Sequence, residues 1–146
     1  MTDAERSLTG LNVLVVEDEA LVALNLETML EDLGCRVVGP IMRLDRLDDM
    51  IDGPMQADAA ILDVNIGGKE IFPLAQRLAA LGVPLVFATG YGRAGLPEDW
   101  HDWPILQKPY SIEEIVRGLV QAMETRPVAS VEGSPVADPA TSLDEG

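Results

Sequence analysis

The chain has 146 residues, with 10 Lys or Arg against 25 Asp or Glu for a formal charge of −15; 47% of residues are hydrophobic and 4% aromatic. That length and apolar share suit one domain with a real core, while a single cysteine (Cys35) and a single histidine (His101) exclude a disulfide framework and a Cys- or His-cluster metal site. No apolar run nears the roughly 20 residues that span a bilayer, the acidic start is no secretory signal, and the charge opposes nucleic acid and anionic membranes, so an intracellular, cytoplasmic domain is expected.

Residues 1–9 read as a short flexible lead and 10–126 as the folded domain. Leu11–Val16 is a β-branched apolar run that stops at Glu17-Asp18-Glu19, and Ala20–Leu33 reads as a helix closed by Gly34. Arg36–Val38 is a short second strand ended by Gly39-Pro40, and residues 43–52 are a charged helix candidate. Ala59–Leu62 is a third strand, ending at Asp63; Glu70–Leu81 reads as a helix with Pro73 near its first turn and Gly82 after it. Pro84–Ala88 and Ile105–Gln107 are the fourth and fifth strands. Between these two strands Gly90, Gly92, Gly95, Pro97 and Pro104 argue against a regular helix. Ser111 and Glu114 form a capping box before an apolar stripe of Ile112, Ile115, Val116, Leu119, Val120 and Met123. From Pro127 the chain has no Lys, Arg or aromatic residue, so 127–146 is expected to be a disordered acidic tail. Five apolar strands alternating with helices predict an α/β fold, a doubly wound five-stranded parallel sheet with right-handed crossovers.

In open α/β sheets chemistry gathers at the carboxyl ends of the strands. Glu17 and Asp18 leave strand one, Asp63 strand three, Thr89 strand four, and Lys108 strand five. Clustered carboxylates are costly unless a cation neutralises them, and an all-oxygen set without His or Cys suits a hard ion, Mg²⁺. With Lys108 and the Thr89 hydroxyl, such a site suits phosphoryl transfer onto a carboxylate. Asp63 is the expected acceptor, because it stands alone before the open turn Val64–Gly68.

Glu17-Asp18 after Leu-Val-Val, Asp63 in Ile-Leu-Asp-Val-Asn, Thr89 in Phe-Ala-Thr-Gly and Lys108 in Gln-Lys-Pro-Tyr occur in order, with 45, 26 and 19 residues separating Asp18, Asp63, Thr89 and Lys108. In these pieces the chain resembles the receiver domains of two-component response regulators. The resemblance implies the flavodoxin-like strand order 2-1-3-4-5 and assigns residues by position. Asp63 matches the phosphoacceptor. Asp18 matches a Mg²⁺ ligand, Glu17 a ligand acting through water, and Asn65 the residue whose backbone carbonyl completes the metal set. Thr89 and Lys108 match the hydroxyl and ammonium that follow the phosphoryl group. Phe87–Tyr91 is similar to the signature of the stand-alone FAT GUY regulators, which implies kinship with partners of HWE/HisKA2 histidine kinases.

Two features depart from the family pattern, the glycine- and proline-rich stretch between strands four and five and the position three residues before the lysine. Ile105 stands three residues before the lysine, where many receivers carry a switch Tyr or Phe; Tyr91 is the candidate in its place. The expected function is phosphoryl acceptance from a histidine kinase, with output through a protein partner, or as a phosphate sink or shuttle to a phosphotransfer protein. A flavodoxin-like cofactor binder, a Mg²⁺-dependent aspartyl phosphohydrolase and an unphosphorylated pseudo-receiver are the alternatives. The cofactor binder lacks a glycine-rich phosphate loop after strand one. The hydrolase pattern places a second Asp two residues past a strand-one nucleophile, where this chain has acidic neighbours Glu17 and Glu19 flanking Asp18.

Overall fold

The computed structural model describes residues 2–125, so the tail expected at 127–146 lies outside the described residues. In chain order the elements are α1 (Asp3–Leu8), β1 (Asn12–Val16), α2 (Ala20–Asp32), β2 (Arg36–Ile41), α3 (Leu44–Asp52), β3 (Ala59–Asp63), β4 (Asn65–Ile66), β5 (Lys69–Glu70), α4 (Phe72–Ala80), β6 (Leu85–Thr89), β7 (Ile105–Gln107) and α5 (Ile112–Thr125). Two 3-10 turns, Gly92–Gly95 and Glu98–Trp100, join β6 to β7. The main sheet is wholly parallel, ordered β2-β1-β3-β6-β7, which is 2-1-3-4-5 when only its own strands are counted. A small antiparallel ribbon of β4 and β5 stands apart from it.

The central strands β3 and β6 are buried at every position, as expected where helices cover both faces of a parallel sheet. Phe87 is fully buried, and Phe72 and Trp100 pack on it with ring centroids 5.9 and 5.4 Å away. Trp100 also stacks on Phe72 at 5.6 Å. These rings hold the β6–β7 connection to the body without a regular helix, which its glycines and prolines disfavour.

Three expectations are corrected. The lead is not a flexible strand of chain: Thr2 and Glu5 form a capping box for α1. Leu8 at the end of α1 is fully buried, and the helix packs on α5. The reading from composition missed it because six residues show too little periodicity. Strand β2 does not stop at Gly39-Pro40 but continues to Ile41, its register against β1 shifting between Leu14 and Val16. Gly39 makes the irregularity at φ +104°; a Cβ there would lie 2.6 Å from the Ile41 nitrogen, and Pro40 is tolerated because β2 is an edge strand. Helix α4 starts at Phe72 rather than Glu70, since Lys69 and Glu70 pair with Ile66 and Asn65. The capping box of α5 forms as expected, with Ser111 and Glu114 each accepting the other's backbone N–H.

Candidate functional site

Register brings the polar strand ends to one rim. Val16 pairs with Leu62, so Glu17 follows β1 level with Asp63. Asp63 pairs with Ala88, placing Thr89 one residue beyond it, and Thr89 pairs with Gln107, next to Lys108. The Lys108 backbone N–H also donates to the Thr89 carbonyl at 2.9 Å, tying the two strand ends together.

The Lys108 ammonium is the hub. Its Nζ lies 2.8 Å from Glu17 Oε1, 3.3 Å from Asp63 Oδ2 and 3.8 Å from Glu19 Oε1. Glu17, Asp63 and Thr89 are the buried polar residues of the described chain. Burial pushes the Glu17 carboxyl up, while the Lys108 hydrogen bond pulls it down. Burial also disfavours the Lys108 ammonium, but Glu17 and Asp63 outweigh it and hold the lysine above its ordinary value. Glu17 Oε2 accepts the Glu19 N–H at 3.1 Å.

Glu17, Asp18 and Asp63 each present a carboxylate oxygen within 4.8 Å of the others. This oxygen-only set fits a hard divalent cation. Asp18 Oδ2 accepts the Gly67 N–H at 2.8 Å, so the turn after β4 orients it. Asn65 opens β4, and its N–H points to Asp63 Oδ1 at 3.5 Å. Thr89 Oγ1 accepts the Tyr91 N–H at 3.1 Å, which leaves its own hydrogen free to donate. Glu17, Asp18, Asp63, Asn65, Thr89 and Lys108, all singled out in the sequence, therefore gather on one rim. Tyr91 is different: the residue is 81% exposed, and its backbone N–H is what meets Thr89.

Two residues escaped the sequence reading. Gly95 lies over Thr89, so close that a Cβ would sit 2.6 Å from Thr89 Oγ1. Tyr110 lines a groove of about 400 Å³ with Glu19, Leu21, Val22, Asn25, Lys108 and Pro109. The aromatic directly after Lys-Pro was the available signal for Tyr110; nothing local marks Gly95 among its neighbouring glycines.

No family model matches the chain. Among solved structures it is similar to SdrG from Sphingomonas melonis Fr1, 39% identical with a TM-score of 0.67 over 84% of this chain and 99% of that one. SdrG has also been solved in a BeF3-activated conformation, which matches with a TM-score of 0.64 over 77% of this chain and 95% of that one. A response regulator receiver protein from Sinorhizobium medicae WSM419 shares the fold at 20% identity, with a TM-score of 0.66 over 81% and 98% of the two chains. Among curated proteins, the transcriptional regulatory protein PdtaR of Mycobacterium tuberculosis is 27% identical over 137 residues, or 90% of this chain. The chain spans 66% of the length of that relative. With the sheet order, the acidic rim and near-complete coverage of SdrG together, the chain belongs to the response-regulator receiver domains of two-component signalling.

Proposed function

We propose that the chain acts as a single-domain response regulator, accepting a phosphoryl group on Asp63 from a histidine kinase and signalling through protein contacts. The observation that carries this reading is the Lys108 ammonium 3.3 Å from Asp63 Oδ2, on a rim shared with Glu17, Asp18 and Thr89. An Asp63 carboxylate oxygen attacks phosphorus; the N–P bond of the phosphohistidine breaks, its electron pair returns to the imidazole nitrogen, and an acyl phosphate forms. Lys108 transfers its ammonium contact from Glu17 to a phosphoryl oxygen. Thr89 donates its free hydroxyl hydrogen to another. Asp18, Asp63, the Asn65 carbonyl and Glu17 through water would hold Mg²⁺, which neutralises phosphoryl charge. Catalysis by the chain is limited to its own phosphorylation and dephosphorylation.

The run Phe87–Tyr91, similar to the FAT GUY signature, supports a kinase of the HWE/HisKA2 group as donor. The net charge of −15 favours a protein partner over nucleic acid or anionic lipid, in the cytoplasm. Among the described residues no helix is long and apolar enough to cross a membrane.

Intact mass after incubation with Mg²⁺ and acetyl phosphate, followed by incubation with a kinase panel, tests the reading. One phosphoryl group on the wild type and none on Asp63→Asn is the expected result. Equal labelling of both would place the phosphate elsewhere, and no labelling from any donor would make the chain a pseudo-receiver.

A further inference from the structure

Cations are scarce in this chain, with 10 Lys or Arg against 25 Asp or Glu. Arg6, Arg43 and Arg77 each hold an aspartate, and Lys108 holds the acidic rim. Arg93 and Arg117 are different. Both are exposed, and neither guanidinium pairs with a carboxylate among the described residues.

The two arginines line one pocket of about 300 Å³, formed by the β6–β7 connection, β7 and α5. His101 and Gln121 line it too, beside the buried Trp103. The imidazole is fixed there, its Nε2–H donating to the Leu96 carbonyl at 2.9 Å. Glu114 is the one acidic residue of the lining, and it is engaged at the α5 cap, where its Oε1 accepts the Ser111 N–H at 2.8 Å. Two guanidinium charges against one carboxylate make the pocket net positive on a chain of −15. A planar guanidinium matches a carboxylate with two parallel hydrogen bonds, so the pocket suits an acidic peptide segment.

This chain has such a segment. Residues 127–146 carry Glu132, Asp138, Asp144 and Glu145 and no Lys or Arg. They follow α5, the helix that bears Arg117 and Gln121. Arg117 lies eight residues before Thr125, about 12 Å back along a helix. Glu132 lies seven residues beyond Thr125, a span of up to roughly 23 Å when extended. The acids of the segment therefore reach the pocket of their own chain. Tethering gives them an effective concentration on the order of mM, which an acidic segment of another protein would have to match.

We propose that the acidic segment 127–146 docks on its own domain at the Arg93–Arg117 pocket, with Glu132 and Asp138 meeting the two guanidinium groups. The face beside β7 and α5 is then covered by the chain itself. Neither the pocket nor the segment belongs to the acidic rim, so the contact forms without phosphate or metal.

The test places a nitroxide label on the full chain at Ser134→Cys, in a Cys35→Ala background, and reads the amide signals of the ¹⁵N-labelled protein. The expected result is a loss of about twofold or more in the signals of Arg93, His101, Arg117 and Gln121, with Asp48 and Asp52 on α3 unaffected. The loss should disappear in about 0.5 M NaCl, and with Arg93→Gln and Arg117→Gln combined. Broadening limited to the end of α5, or broadening that survives the two arginine substitutions, overturns the inference. So does broadening of a ¹⁵N-labelled, nitroxide-free protein mixed with the unlabelled nitroxide-bearing one, because the occupant would then be a second copy. An unbroadened pocket would leave it to an acidic segment of another protein and overturn the inference as well.

Discussion

Lys108 is held more closely by Glu17 than by Asp63, at 2.8 Å against 3.3 Å. Glu17 is the more buried of the two, with a side chain only 2% exposed against 10% for Asp63. The resting rim thus parks its ammonium on a carboxylate that is not the expected acceptor. On the proposed reading, a phosphoryl group on Asp63 would compete for it, and the competition would couple chemistry on β3 to the end of β1.

The same geometry leaves the rim under-neutralised. Glu17, Asp18 and Asp63 cluster together while the one ammonium pairs with Glu17 and Asp63, so like-charge repulsion is stored there when no metal is bound. Asp18→Asn keeps an acceptor for the Gly67 N–H and removes one charge. The metal-free variant should be more stable than wild type by about 1 kcal/mol. Mg²⁺ should raise the melting temperature of wild type by mass action and barely move that of the variant. Thermal melts in EDTA and in Mg²⁺ measure both effects.

Gly95 makes the packing around the Thr89 hydroxyl sensitive to a single methyl group. A Cβ at residue 95 would approach Thr89 Oγ1 to 2.6 Å and Cγ2 to 3.3 Å. Gly95→Ala should therefore cost about 1–3 kcal/mol by overpacking. In a Thr89→Ala background, which removes both atoms, the cost should fall by more than half. Urea midpoints of the four proteins close this double-mutant cycle; additive losses would mean the turn does not rest on the hydroxyl.

Helix α1 should contribute to stability rather than trail from the domain. Leu8 is fully buried, and its carbonyl accepts the Cys35 thiol hydrogen, with sulfur 3.5 Å away. Leu8→Ala should destabilise by about 2–4 kcal/mol, whereas Asp3→Ala, which breaks only an exposed pair with Arg6, should cost about 0.5 kcal/mol or less. Chemical denaturation distinguishes the two.

Burial holds the Cys35 thiol above its ordinary pKa. The folded state therefore prefers the neutral thiol, while the unfolded chain ionises first. This contribution to stability is complete below the ordinary thiol pKa of about 8.5 and is lost as pH rises through the folded value. Between pH 8 and 10, wild type should lose more stability than Cys35→Ala. Iodoacetamide should label the native thiol far more slowly than the urea-unfolded one.

Much of this molecule was legible in residue order. Apolar runs bounded by Gly34, Gly82 and the Ser111–Glu114 box gave the strands and helices because those signals act within one turn or one strand. The glycines and prolines of 90–104 announced that no regular helix would form there, and 3-10 turns occupy that stretch. The extent of β2 and the start of α4 were less legible, because pairing with β1 and with Asn65–Ile66 decided them. Tyr91 was singled out for its place after Thr89, but its side chain points to solvent.

By itself, the sequence determined which polar residues would end the strands, and hence that carboxylates, a hydroxyl and an ammonium would share a rim. Only the tertiary structure decided how they divide their contacts. The Lys108–Glu17 pair joins positions 91 residues apart, the Gly95 backbone covers Thr89, and the Tyr110 hydroxyl is turned inward. Strand period and helix caps are local, whereas partner choice depends on register, burial and competition among groups that meet only in the folded chain.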